Sequence, residues 1–137
     1  MQAFTYYGHR EKLRLIGKEE LLEPLQKNAL QIAKNARDEF KDLDLLVCGD
    51  VANTNIYDPN DKKSHSECQK MYEEQVAWAK EAGVDFIVAE TINLGRGNEK
   101  ISLKAIKEVG LIAVTNFSIK KKVTKLEKGI HLVKLVK

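Results

Sequence analysis

Acidic and polar side chains follow several apolar runs in this sequence, and they are the residues best placed to do chemistry. Glu90 comes directly after Phe-Ile-Val-Ala, where burial of a carboxylate is costly unless it meets a cation. That cation could be a substrate ammonium, whereas a paired lysine or a cap on the next helix is the structural alternative. Asp50 and Asn53 follow an earlier apolar run, and Thr91 follows Glu90. These four residues are therefore candidate ligand contacts.

Thr5, Tyr6 and Tyr7 form a second candidate group close to the amino terminus. The face of a tyrosine ring can hold an apolar or cationic methyl group. Neighbouring residues of a strand point to opposite sides, so only one of the two tyrosines should face a site. The alternative is that both rings pack beneath the following loop.

Cys48, His65 and Cys68 are the residues that could bind a soft metal ion. Their spacing has no compact pair and is unlike known zinc patterns. Cys48 lies in an apolar run, which is typical of a buried thiol in a reducing compartment.

The segment Gly95-Arg96-Gly97-Asn98 precedes a predicted helix. Its backbone amides could bind a phosphate, and Arg96 would add charge. Because it matches neither the dinucleotide fingerprint nor the Walker pattern, an exposed turn is the favoured alternative.

Apolar runs and helical stripes alternate along the chain, which predicts parallel strands joined by right-handed helical crossovers. Either a flavodoxin-like open sheet or part of an eight-fold barrel fits this order, and both place ligands at the carboxyl ends of the strands. The predicted strands cover residues 3–7, 43–51, 84–90 and 111–117, and the predicted helices cover 19–40, about 65–82 and 99–109.

Three details support the predicted helices. Ser64 or Ser66 with Glu67 could cap the second helix, and Gly83 would end it. Pro24 suits the first turn of the first helix. That helix should bury one apolar stripe, made of Leu22, Leu25, Ala29, Ile32, Ala33, Ala36 and Phe40.

Composition limits the class of protein. The 137 residues are 43% hydrophobic and 31% charged, which fits one globular domain and excludes disorder and disulfide scaffolds. The net charge of +3 divides into +6 over 120–137 and −3 elsewhere, which argues against a nucleic-acid-binding domain. No apolar run predicts a membrane helix and no secretory signal is visible, so we expect a cytoplasmic protein.

Four motifs in order resemble homocysteine S-methyltransferases, especially the betaine-type branch. They are Gln2-Ala3-Phe4-Thr5-Tyr6-Tyr7, the run from Leu46 to Pro59, Glu74-Gln75, and the run from Ala82 to Thr91. The resemblance implies a zinc-dependent TIM (β/α)8 barrel that transfers a methyl group to the thiolate of homocysteine and so makes methionine.

The resemblance also implies roles for single residues. Glu90 matches the glutamate that holds the amino group of homocysteine, and Tyr6 and Tyr7 match the aromatic pair on the methyl-donor side. Thr91 stands where the betaine branch often has tyrosine, so the donor is betaine-like or another methylated compound. We expect the strand-end residues Thr5, Asp50 and Asn53 to complete the substrate pocket.

The chain departs from the family pattern at both ends. A glycine-rich first strand should precede Met1, and the three zinc cysteines should lie beyond the fifth strand; neither Cys48 nor Cys68 matches them. The resemblance predicts a partial barrel of about strands 2 to 5 over residues 1–118 and a divergent lysine-rich tail over 119–137. We therefore expect a truncated chain that is inactive alone.

Open strand edges would favour self-association of such a partial barrel. Two other classes of function remain open. One is a flavodoxin-like domain that binds phosphate or a nucleotide through the Gly95 loop, and the other is a small nucleic-acid adaptor that uses the lysine tail.

Overall fold

A computed structural model of the protein describes residues 1–93 and 97–118. Helices and parallel strands alternate along these ranges, which confirms the α/β class. The predictions for Gly95, Arg96 and the segment 119–137 lie outside the described residues. The elements are α1 (Arg10–Arg14), a 3-10 turn (Glu19–Leu21), α2 (Leu22–Asp38), β1 (Cys48–Ala52), α3 (Lys62–Ala82), β2 (Phe86–Asn93), α4 (Asn98–Glu108) and β3 (Ile112–Ser118).

The strands form one parallel sheet in the sequential order β1, β2, β3. Helix α3 connects the first pair and α4 the second. Successive right-handed crossovers that advance in one direction keep their helices on one face of a sheet. Within the described ranges the strand order therefore has no reversal of the kind that defines a doubly wound sheet.

The hydrophobic core lies between this face of the sheet and the helices. Ile87 and Ala89 of β2 are fully buried there, against Tyr72 and Val76 of α3. On the opposite face of β3, Ile112 is 69% exposed. We refer to the face opposite the helices as the open face; it is exposed along β3, whereas all five residues of β1 are buried.

The predicted strand at residues 3–7 is wrong. Gln2 forms only an isolated parallel bridge with Cys48, in which the Ala3 amide donates to the Cys48 carbonyl at 2.9 Å. The chain then turns, because the amide of Thr5 donates to Ala3 and that of Gly8 donates to Thr5. The amino-terminal segment nevertheless lies beside β1 at the edge of the sheet.

Helix α2 buries only part of the predicted stripe, since Leu22 and Ala33 are buried as predicted but Gln26 and Leu30 complete the buried face. Leu22, Gln26, Leu30 and Ala33 face the core, whereas Leu25, Ile32 and Phe40 are 49%, 62% and 53% exposed. The physical reason is Gln26, whose side-chain amide donates to the backbone carbonyls of Thr5 and Gly8. A polar residue thus occupies the centre of the buried face, and apolar periodicity alone does not reveal it.

The ends of two elements also differ from the prediction. Asp61 caps α3 by accepting from the Lys63 amide at 2.9 Å, while the Ser64 hydroxyl donates to Asp58 and Asp61 carbonyls instead. Strand β1 begins at Cys48 rather than Leu43, which is 58% exposed.

Gly83 ends α3 in the left-handed conformation, as the sequence predicts. Over the described ranges, no helix combines the length and apolar character needed to cross a membrane.

Candidate functional site

Asp50 of β1 and Glu90 of β2 bring two carboxylates together on the face of the sheet opposite the helices. Asp50 pairs with Val88 in the sheet register, and Glu90 lies two residues further along β2 on the same face. The side-chain amide nitrogen of Gln2 donates to Asp50 Oδ2 at 2.6 Å and to Glu90 Oε1 at 3.0 Å. We refer to Gln2, Asp50 and Glu90 as the acid cluster.

Asp50 is the buried member of the acid cluster. It is 3% exposed, and its Oδ1 atom has no hydrogen-bond partner among the described residues. The pKa of Asp50 is raised to about 7; burial is the main cause, the hydrogen bond from Gln2 opposes the shift, and the charge of Glu90 adds to it. This carboxyl group therefore changes its charge near neutral pH.

Thr5 fixes the backbone of Asp50. Its hydroxyl donates to the Asp50 carbonyl at 2.7 Å and accepts from the Asp50 amide at 2.8 Å. Thr5 is 2% exposed, so these bonds are shielded from water. The buried carboxylate is thus held by a rigid support at the edge of the sheet.

The two tyrosines lie beside the acid cluster in different environments. The Tyr6 hydroxyl is 2.5 Å from Thr91 Oγ1, and burial raises the pKa of Tyr6. Tyr7 is 61% exposed and packs edge-on against Tyr6, with ring centroids 4.2 Å apart. The ammonium group of Lys12 lies 5.2 Å from the Tyr7 ring centroid. That ring therefore already accommodates a cation over its face.

Thr91 has an unusual backbone conformation. Its φ is 51°, in the left-handed region, and the register between β2 and β3 shifts between Ala89 and Ile92. A β-branched residue rarely adopts this conformation. The bulge turns the strand end directly after Glu90, so local strain accompanies the candidate site.

Asn53 lies in a separate network. Its Oδ1 atom accepts from Asn98 Nδ2 at 3.0 Å, and Asn98 Oδ1 accepts from the Tyr72 hydroxyl at 3.3 Å. This network connects the loop after β1 to the start of α4. The structure therefore brings Thr5, Asp50 and Glu90 together but gives Asn53 a contact with α4.

The start of α4 was the candidate phosphate site. There the Gly97 amide donates to Glu99 Oε2 at 2.9 Å. The Glu99 carboxylate thus already accepts the hydrogen bond of a backbone amide that a phosphate would need. Its negative charge would also repel a second anion.

The two cysteines are separate buried thiols. Burial raises the pKa of both Cys48 and Cys68, and Cys68 Sγ lies 3.0 Å from Thr54 Oγ1. Over residues 1–93 and 97–118, no three histidine, cysteine or acidic side chains are grouped so that they could hold a metal ion. The described residues therefore do not fit a zinc site.

Sequence reasoning missed two residues near the site. Gln2 was recognised only as the start of a motif, and nothing in its type indicates that it joins two carboxylates. His9 is 1% exposed and neither of its ring nitrogens has a hydrogen-bond partner among the described residues. Burial lowers the pKa of His9 to about 4, so this ring is neutral at neutral pH.

The parallel β/α sheet with polar groups at its strand ends defines an α/β protein with the ligand-site position common to such folds. The family model for homocysteine S-methyltransferase matches residues 1–137, and the chain belongs to that family. The match continues past Ser118, so the resemblance extends further than the sequence analysis placed it. None of the curated proteins searched matches the chain.

Proposed function

We propose that this protein binds homocysteine as the methyl acceptor in a reaction that forms methionine, with Glu90 as the ligand of the substrate ammonium. The observation that carries the proposal is the position of Glu90. It lies half-buried in β2 at the bulge that includes Thr91, beside a second carboxylate, in a chain of the homocysteine S-methyltransferase family. Two neighbouring carboxylates favour a cationic ligand because it relieves their mutual repulsion.

The described sheet is proposed to be an arc of a (β/α)8 barrel. Support comes from the sequential parallel order, the helices on one face, and the bridge that adds the amino-terminal segment next to β1. In a barrel the open face of such an arc points inward. Cys48, Asp50, Val88 and Glu90 share this face by register.

Tyr6 and Tyr7 are proposed to line the methyl-donor side. The Tyr6 hydroxyl meets Thr91 and lies near Glu90, Tyr7 packs edge-on against Tyr6, and the Tyr7 face already lies beside the Lys12 ammonium. An aromatic wall of this kind suits a methylated cation such as a betaine-like donor. A donor that carries a different methylated group would also fit against the Tyr6 and Tyr7 rings.

The family is generally zinc-dependent, but the described residues form no ligand set for zinc, and we derive no step through the metal. The role proposed for this chain is to bind and orient the substrates. Glu90 would fix the ammonium of homocysteine, and the tyrosines would exclude water from the methyl group. We expect the protein of residues 1–137 to bind homocysteine without forming methionine alone, because its two cysteines, Cys48 and Cys68, do not match the zinc cysteines that the family resemblance implies.

Calorimetric titration of the protein with L-homocysteine under reducing conditions tests the proposal. Glu90→Gln should weaken binding by about tenfold or more, because an ammonium loses its ionic acceptor. Glu108→Gln is the matched control, since Glu108 is exposed and pairs with Lys104 at 3.7 Å, outside the site.

Equal loss of affinity in both variants would contradict the assigned role of Glu90. A separate assay would measure methionine formed from homocysteine and a methyl donor. Sustained turnover by residues 1–137 would contradict the expected inactivity.

A further inference from the structure

We infer that the Gln2 side-chain amide occupies the ammonium position of the acid cluster, that Asp50 is a second ligand of the substrate ammonium, and that the substrate must displace Gln2 to bind. This inference rests on the proposed function for the identity of the substrate. It adds a second acidic ligand to Glu90 and an internal competitor for the site.

The geometry of Gln2 supports the first part. One nitrogen with two hydrogens donates to two carboxylates on neighbouring strands, at 2.6 Å and 3.0 Å. An ammonium group placed at the same point would donate to the same two oxygens and would also carry a positive charge. The neutral amide therefore gives one oxygen of each carboxylate a donor but does not neutralise either charge.

Asp50 supports the second part. Its Oδ1 atom is buried and has no partner in the described ranges, although Oδ2 of the same carboxylate is bonded to Gln2. A buried carboxylate oxygen without a donor is costly. An ammonium has three donors where the amide nitrogen has two, so it can supply a donor that Gln2 cannot.

The two sides of the contact differ in how many hydrogen bonds hold them and in their exposure, which supports displacement. Asp50 is fixed by the buried Thr5 hydroxyl on both its amide and its carbonyl. Gln2 is exposed, and its segment is held to the sheet by an isolated bridge. A rotation of the Gln2 side chain would vacate the position while the carboxylates stay in place.

The test compares three probes on the protein of residues 1–137 at about pH 8, where Asp50 is largely ionised. The probes are L-homocysteine, mercaptobutyrate, which lacks its amine, and propylamine, which has only the amine. Binding would be measured by calorimetry and by NMR titration, and Glu108→Gln would serve as the control.

Asp50→Asn should weaken both amines by about tenfold or more, because one charged acceptor is lost. Gln2→Ala should tighten both amines by about threefold or more, because the competing internal contact is gone. Neither substitution should change the affinity for mercaptobutyrate. Circular dichroism would check that the Asp50 variant folds. Gln2 is exposed, so its substitution should leave the fold intact and tests the inference independently of the Asp50 variant.

Homocysteine binding that is unchanged in Asp50→Asn, or weakened in Gln2→Ala, would overturn the inference and leave the proposed function standing. If propylamine binds in a way that depends on Asp50 but homocysteine does not bind, the acid cluster is an amine-binding site and the proposed function is overturned. If neither amine binds, the inference is overturned.

Discussion

Two buried ionisable side chains, Asp50 and His9, give the protein opposite responses to pH. The pKa of Asp50 is raised to about 7, so its contribution to stability is present below the ordinary value near 3.8 and is lost as pH rises through 7. The pKa of His9 is lowered to about 4 from 6.5, so its contribution is present above 6.5 and is lost as pH falls toward 4. Between pH 4 and 6.5, a rise in pH therefore removes the stabilisation from Asp50 while it restores the stabilisation from His9.

His9→Phe isolates the histidine effect. Both ring nitrogens are buried without partners, so charging the ring in the folded protein is costly. Between pH 6.5 and 4 the wild type should lose up to about 3 kcal/mol of stability relative to His9→Phe, from a shift of this size. Urea unfolding at a series of pH values measures this difference.

His65→Phe is the control for that experiment. His65 is less buried than His9, and its ring stacks on Tyr57 at 4.8 Å, so an aromatic replacement keeps the stacking but removes the contact of Nε2 with the Asp58 carbonyl at 2.8 Å. A change in pH response as large as that of His9→Phe would show that the effect is not specific to the buried ring. A parallel pH response in wild type and His9→Phe would show that His9 does not control acid stability.

At the scale of the elements, Gly49 sets the distance between α3 and the sheet. A Cβ atom at this position would lie 2.9 Å from Ile87 Cδ1 and 3.2 Å from Ala79 Cβ. Gly49→Ala should therefore destabilise the fold by about 1 to 3 kcal/mol through overpacking. Thermal or urea unfolding would measure the change.

Gly49→Ala combined with Ile87→Val tests the cause, because valine lacks the Cδ1 atom that the added Cβ would meet. The double variant should lose less stability than the sum of the two single substitutions. Strictly additive costs would contradict close contact of position 49 with Ile87 as the reason for glycine there.

At the scale of the whole molecule, we predict that the exposed face along β3, in addition to the open strand edges of a partial barrel, supports self-association. Ile112 and Val114 of β3 are 69% and 48% exposed on that face, and Phe4 is 93% exposed. Ile112→Lys with Val114→Lys should lower the sedimentation-derived mass at high protein concentration, because apolar contact between copies is lost. A wild-type protein that sediments as a monomer at all concentrations would contradict this prediction.

The matched control for that experiment is Leu25→Lys with Ile32→Lys. These two residues are 49% and 62% exposed on α2 rather than on the sheet face. The control should leave the association unchanged. An equal fall in mass for both double variants would indicate nonspecific hydrophobic contact.

Local pattern was enough to predict the parallel β/α alternation and the end of α3. A strand buried on both faces is apolar throughout, and Gly83 permits a left-handed φ of 72°. Strand-end position was also enough to select Glu90 and Asp50 as candidates, because parallel strands present their carboxyl ends at one edge. These features depend on neighbours in the sequence.

Only the tertiary structure decided the contacts between distant segments. Gln2 meets Asp50 and Glu90 across 48 and 88 positions of chain, and Gln26 turns the buried face of α2 by bonding to Gly8. Asn53, chosen by the same strand-end rule as Asp50, bonds instead to Asn98. Hydrogen bonds between side chains that are remote in the sequence leave no periodic pattern. The sequence alone therefore indicated which residues follow the apolar runs. Tertiary packing determined which of their side chains are in contact.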